Sequence, residues 1–268
     1  MRRTEIAVVV SDIHCGSEVG LAPPKVKLRN GNIVSFGDNI HQKWLWSNWQ
    51  TMTAGVKKII GKERAILIVN GDATEGVHHR NEKDLIASEI DKHVDMAVEC
   101  LRPLSAMVEK TYVVKGTECH TLNLENLLAK ELGAVGKTAK DKWLIDVNGC
   151  LVDAAHHMGV TSRAYLEASA MSIHMGNAIL NSIRMDHRPA KVYLRGHRHC
   201  GGWYTDGSGL FCVTGGWQFL TRHGYKVVTD SIPSPTVIVL DWRGKPNGAL
   251  PQVHELKFKP PQDEIEKV

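Results

Sequence analysis

Ile6-Ala7-Val8-Val9-Val10-Ser11-Asp12-Ile13-His14 is the stretch on which the fold turns. Its five apolar residues, mostly β-branched, predict a short strand covered on both faces. An acid and an imidazole follow as soon as the strand has run out. The same event recurs along the chain. Ala65 to Val69 is a second apolar run, ending in Asn70-Gly71-Asp72. Tyr112-Val113-Val114 precedes Gly116-Thr117-Glu118-Cys119-His120, and Ala154-Ala155 precedes His156-His157. Val192-Tyr193-Leu194 leads into Gly196-His197-Arg198-His199. In α/β sheets ligands gather beyond the carboxyl ends of strands, so these five loops are expected to meet at one site. Singly they carry little, because Asp-x-His and Gly-Asp are ordinary turn chemistry. Gly-His-x-His carries more, since two imidazoles two residues apart rarely serve a core. The weight lies in the succession of five.

Between these loops the apolar spacing supplies helices. Ile40, Trp44, Leu45, Trp49, Met52, Val56, Ile59 and Ile60 recur at helical intervals. Residues 82–102 read as an amphipathic helix through Ile86, Ile90, Val94, Ala97 and Leu101, after which Pro103 kinks it or starts a new segment. Leu122 to Leu132 reads as a short helix closed by Gly133, and Ser162 to Met185 as a longer one. Residues 15–38 look like a long loop with a small hairpin near Asn30-Gly31. Asn148-Gly149 predicts a tight hairpin between Trp143–Val147 and Cys150–Ala155. The segment from 203 to 258 reads mostly as strands. Strand and helix alternate first and strands follow, which predicts an α/β fold of stacked sheets flanked by helices. With no repeat and no shift of composition, residues 1–259 are read as a single domain. Residues 260–268 are read as a charged tail.

The chain has 268 residues, 43% hydrophobic and 23% charged, with a formal net charge of +4. These are globular values, and the charge is too mild to argue for nucleic-acid binding. Ile6 to Val10 is too short for a signal-peptide core, and no apolar run approaches a membrane span. The cytoplasm is the expected location, without a membrane partner. Six cysteines without a Cys-x-x-Cys pair argue against a disulfide framework or a thiolate zinc finger. Fourteen histidines are a generous supply of the commonest metal ligand.

The ordered set Asp-x-His, Gly-Asp, Gly116 to His120, His and Gly-His-x-His resembles the calcineurin-like metallophosphoesterase superfamily, in the style of its bacterial and phage-type branches. The resemblance runs from Asp12 to His199. It implies a metallophosphoesterase-type β-sandwich of two mixed sheets flanked by α-helices, and dinuclear metal-dependent hydrolysis of phosphate esters. Carried over by position, Asp12 and His14 hold one ion with His199, Asp72 bridges, and His156 and His197 hold the other. Carboxylate with imidazole suits Mn, Fe, Zn or Ni, with Mn expected and Mg a poorer match. The resemblance gives His120 the catalytic role, as an imidazolium facing the oxyanion or the leaving oxygen. The third loop departs from the family, where an Asn ligand is followed directly by His. Here Thr117 stands in the Asn position, Glu118 offers an alternative ligand, and His120 comes two residues late. His156 and His157 point opposite ways in extended backbone, and the resemblance favours His156.

Phosphodiesters, nucleic acid or nucleotides among them, are preferred as substrates. A phosphomonoesterase or protein phosphatase is the alternative, and a catalytically silent binding scaffold is a third reading. Several other residues take a plain reading first. His78-His79-Arg80 forms a solvated loop before a cationic rim, and Cys15, Cys119 and Cys200 are small apolar filler before ligands. Trp44 and Trp49 belong to the core face of their helix, while Trp46 lies off it. The helix from Ser162, with Arg163, Tyr165 and His174, packs on the body sooner than it roofs a pocket.

Overall fold

The computed structural model describes residues 3–28, 30–36, 39–78, 81–121, 124–158, 166–222 and 233–260. Two mixed sheets lie face to face, with helices on both outer sides. The first runs β13-β12-β1-β4-β5-β6, with β1 Ile6–Val10, β4 Ala65–Asn70, β5 Lys110–Val114, β6 Ala139–Lys140, β12 Thr236–Asp241 and β13 Gln252–Lys257. β1, β4, β5 and β6 are parallel, while β12 is antiparallel to β1 and β13 to β12. The second runs β10-β11-β9-β8-β7, from β7 Lys142–Val147, β8 Cys150–Ala155, β9 Val192–Arg195, β10 Gly202–Thr205 and β11 Leu210–Val213. Its three central strands are parallel. The expected fold class of two mixed sheets between helices is what the chain adopts.

The continuous apolar runs have a direct cause. Side chains alternate across a strand, so Ile6, Val8 and Val10 meet the helices while Ala7 and Val9 meet the opposite sheet. The helical layer on the first sheet is α1 Ile40–Ile60, α2 Ile90–Ser105 and α4 Leu124–Glu131. Trp49 of α1 is buried, meets Trp217 edge to face at 4.7 Å and donates from Nε1 to the Cys100 carbonyl of α2. Trp44 and Trp46 are both half-buried against this core, although Trp46 lies off the main buried stripe of the helix. α5 Glu167–Arg184 lies on the outer face of the second sheet.

Several local expectations meet the structure closely. A hairpin forms from β2 Lys25–Lys27 and β3 Ile33–Ser35, and β7 pairs with β8 across Asn148 and Gly149, both at positive φ. Gly133 closes α4 at φ 62°. The second helix differs. A single 3₁₀ turn covers Glu82–Asp84, and α2 begins only at Ile90 and runs through Pro103 to Ser105. Backbone of the earlier segment is spent on long-range pairing, with Ser17 bridged to Leu85 and Ile86 N–H donating to Gly16. Pro103 sits in the final turn and neither breaks nor starts the helix. Helix starts expected at Leu122 and Ser162 fall outside the described residues, as do His79, Arg80, Arg163, Tyr165 and the tail from 261. No described helix is long and apolar enough to cross a membrane.

Candidate metal centre

Five strand ends come together across the two sheets. Beyond β1 and β4 the loops run side by side, Asp12 N–H donating to Gly71 and His14 N–H to Asp72, both at 3.1 Å. The short helix α3 Glu118–Thr121 follows β5. From the second sheet, His156 Nδ1 donates to the Asn70 carbonyl at 2.7 Å, and His197 N–H reaches both Asp12 carboxylate oxygens at 3.1 Å. The backbone here is strained. Asp12, His14, Asp72, His197 and His199 all have φ between 46° and 71°. Such conformations disfavour L side chains by roughly 1 kcal/mol or more each and persist where the surroundings impose them. Only three other described non-glycine residues, Lys137, Asn148 and Asp186, adopt positive φ. The strain is concentrated at the very residues singled out in the sequence.

The side chains turn their lone pairs inward. His14 donates Nδ1–H to Glu75 at 2.9 Å, which leaves Nε2 facing His199 Nε2 at 3.1 Å and Asp12 Oδ1 at 3.9 Å. His199 Nε2 lies 3.5 Å from the same Asp12 oxygen. His156, with Nδ1 bound outward, directs Nε2 at Asp72 Oδ2 (2.9 Å) and Asp12 Oδ1 (3.8 Å). Asp72 also accepts from the Thr117 N–H at 2.6 Å and its hydroxyl at 3.0 Å. That hydroxyl meets His197 Nδ1 at 3.1 Å. Donor atoms of Asp12, His14 and His199 lie within 4.8 Å of one another, as do those of Asp12, Asp72 and His156. His156, His157 and His197 form a further such group. Two buried carboxylates, and imidazoles whose outer nitrogens are held while their inner ones converge, form a donor set that fits divalent cations.

Charge is balanced in a particular way. Burial works against charge on His156, yet Asp12 and Asp72 lift its pKa to about 9. Asp72, despite its burial, is held well below the usual carboxylate range by His156. Asp12 is raised by burial and by the charge of Asp72. The metal-free protein therefore holds a proton where a cation would bring charge. A raised histidine stabilises the fold fully below its unfolded value, 6.5, and loses that contribution as pH climbs through about 9. Ligation must displace the same proton. Metal affinity is accordingly expected to rise by about tenfold per pH unit between pH 7 and the folded pKa, then level. Competition with a chromophoric chelator measures this, and a flat profile would contradict the arrangement.

His120 departs from its expected state. Burial and neighbouring His14 press its pKa down to about 4, so it is neutral near pH 7. Its Nδ1–H donates to the Glu75 carbonyl at 2.7 Å, leaving Nε2 as an acceptor. An imidazolium role is not what this environment favours. His156, buried, faces the centre, whereas His157 is exposed at its edge, 4.9 Å from the His197 ring. Thr117 stands inside the cluster, while Glu118 is exposed. Cys15 is buried filler beside Cys100, whereas Cys119 adjoins His78 and His120 within ligand distance.

Sequence reasoning missed Glu75. This buried carboxylate accepts from His14, from Gln218 Nε2 at 2.8 Å, from His78 Nε2 at 3.1 Å and from Asn81 Nδ2 at 3.3 Å. Burial would raise its pKa, but hydrogen bonds from His14 and His78 hold it well below the usual range. The only signal was a carboxylate three residues beyond Asp72 in a tight Gly-bounded turn. Ser11, whose hydroxyl donates to Asp12, was equally silent. Gly116 has a steric reason. A Cβ there would fall on the Asp72 carboxylate and backbone nitrogen. Gly116→Ala is expected to displace Asp72, lower stability by about 1–3 kcal/mol and reduce metal content, as read by thermal unfolding and elemental analysis.

No family model matches the chain, and no curated protein does. Among solved structures it is similar to an archaeal phosphodiesterase at 10% identity and TM-score 0.47, covering 94% of this chain and 99% of that one. It is similar to a Vps29 double mutant from Entamoeba histolytica at 12% identity and TM-score 0.44, covering 95% and 99%. A predicted phosphoesterase from Streptococcus pneumoniae TIGR4 gives 12% identity and TM-score 0.36, covering 94% and 98%. The reading of the site rests on its own geometry.

Proposed function

We propose that the chain is a metal-dependent phosphoesterase of the calcineurin-like metallophosphoesterase class, acting on phosphodiesters. One observation carries this reading. Asp12, His14, Asp72, His156, His197 and His199 turn their donor atoms into one volume, and five of the six do so from strained backbone. Asp12, His14 and His199 would hold one ion, His156 and His197 a second, with Asp72 between them. Mn is the first choice, with Fe, Zn and Ni as alternatives. When bound, two such cations supply charge that polarises phosphoryl oxygens and acidifies a water.

The chain's own groups do the rest. Glu75 fixes the tautomer of His14, and Asn70 that of His156, so both Nε2 atoms are presented as lone pairs once the two rings are neutral. His120 is held by the Glu75 carbonyl and offers an accepting Nε2 to a proton in transit. The preference for a diester is one of charge. Arg195, just before the Gly-His-x-His loop, and Arg198, within it, are engaged by Asp153 at 2.9 Å and Glu167 at 3.2 Å. Neither guanidinium fork is set aside for the second negative charge of a monoester.

Turnover of bis-p-nitrophenyl phosphate against p-nitrophenyl phosphate, with Mn added, tests the reading. Faster diester cleavage is expected, and monoester preference would move the assignment to a phosphomonoesterase. A second reading, a silent scaffold, draws on Thr117, whose hydroxyl is shared between Asp72 and His197 where the family places an amide. Metal bound without hydrolysis of either ester would favour it.

A further inference from the structure

We propose that His78, Cys119 and His120 form a further metal site, beside the centre already described, which takes a thiophilic divalent ion such as Zn rather than Mn. One donor atom from each of the three side chains lies within 4.8 Å of the other two, within reach of one tetrahedral ion. Sequence reading leaves these residues apart, His78 in a solvated loop and Cys119 as apolar filler, and the fold brings them together. Thr74 Oγ1 donates to the His120 carbonyl at 3.2 Å, which fastens the loop after β4 to α3. Gly76, at φ 68°, comes so close that a Cβ would meet that carbonyl at 3.0 Å and the Cys119 carbonyl at 3.2 Å. The loop then turns back to His78, whose N–H donates to Asn81 Oδ1 at 2.9 Å.

Glu75 prepares both imidazoles. Its Oε2 holds His14 of the first centre, and its Oε1 accepts from His78 Nε2 at 3.1 Å. Its backbone carbonyl accepts from His120 Nδ1 at 2.7 Å. Ligating histidines characteristically give their outer N–H to such an oxygen, which fixes the tautomer and makes the other nitrogen more basic. The lone pairs therefore fall to Nδ1 of His78 and Nε2 of His120, on rings whose centroids are 4.2 Å apart. Cys119 adds the soft donor. Thiolate with two imidazoles selects Zn, where carboxylate with imidazole suits Mn. All three side chains are half-buried, so an ion has a path from solvent and a water can take the fourth position. Given the function proposed above, an ion on His120 also takes the Nε2 that accepts a proton in transit, so zinc here halts hydrolysis.

Cobalt stands in for zinc as a probe, because a thiolate ligand gives Co(II) a near-ultraviolet charge-transfer band that carboxylate and imidazole do not. Titrating Co(II) into the reduced full chain, already loaded with Mn, should raise this band, and added Zn should remove it. Cys119→Ala and His78→Ala should each lack the band, with near-UV circular dichroism like that of the wild type. Cys119→Ala should also retain about one zinc fewer per chain by elemental analysis. Cys200→Ala, which removes the thiol next to His199 in the chain, should keep the band. Zinc should inhibit Mn-supported turnover, and Cys119→Ala, scaled to its own uninhibited rate, should need at least about tenfold more. No band in the wild type, a band that survives Cys119→Ala, or one lost in Cys200→Ala overturns the site. Inhibition indifferent to Cys119 overturns its hold on turnover. If neither ester is cleaved, the proposed function fails, and the cobalt band still decides this site.

Discussion

Asp72→Asn is expected to lower kcat/KM for phosphodiester cleavage by about 10³-fold or more, as loss of several kcal/mol of transition-state charge stabilisation would. The metal-free fold should remain intact. Asp72 is the carboxylate common to both sides of the centre, grouped with Asp12 and His156 on one side and with His14 and His120 on the other. The amide keeps an oxygen for the Thr117 N–H, now 2.6 Å from Oδ1, and fills the same space. It also removes one of two buried negative charges that oppose each other. The ionised form of Asp72 is nonetheless the one that His156 stabilises, so the thermal midpoint of metal-free protein should fall, while the fold persists and bound metal falls sharply. His199→Ala should be milder, because it strips one side only. Turnover like the wild type in Asp72→Asn would contradict the role given to this residue.

Glu75→Ala is expected to strike stability as hard as function. The carboxylate gathers His14, His78, Asn81 and Gln218 in a site from which water is excluded. Removing one partner of such a buried, charged arrangement costs about 3–5 kcal/mol, because the others are left unpaired. Metal affinity should drop a further 10- to 100-fold, since His14 loses the bond that fixes its ring. The pH dependence has a definite sign. Glu75 is depressed in the fold, so its stabilisation is present above the unfolded value of 4.5 and is lost as pH falls through the folded one. Acid titration of wild type should show that loss, and Glu75→Ala should lack it. Chemical denaturation across pH checks both. Glu75→Gln, which keeps an acceptor, should recover part of the stability.

Much of the fold was legible because it depends on local pattern. β1 and β4 are uninterrupted apolar runs since both faces are covered, and Asn148-Gly149 marks its hairpin through two residues that tolerate positive φ. α1 was readable from its single buried stripe. Residues 82–89 misled for the opposite reason. Their apolar positions continue a helical rhythm, but their backbone is taken by Gly16, Ser17 and Glu18, contacts nearly 70 residues away along the chain that no window reveals. At the site, the histidines and aspartates were visible because polar groups directly beyond apolar strands are conspicuous. Glu75 and Gln218 were not, because what makes them matter is burial, and burial follows from tertiary structure alone. His120 shows the same limit. Its position was readable, but its charge state depends on burial and on His14, which lies more than a hundred residues earlier in the chain.

The central claim is that residues from five loops surround a pair of cations, and anomalous diffraction from crystals grown with Mn tests it most directly. The account predicts two peaks about 3.5–4 Å apart. One should be bounded by Asp12, His14 and His199, the other by His156 and His197, with Asp72 reaching both. No anomalous density among these side chains, or density only beside His78 and Cys119, would contradict it.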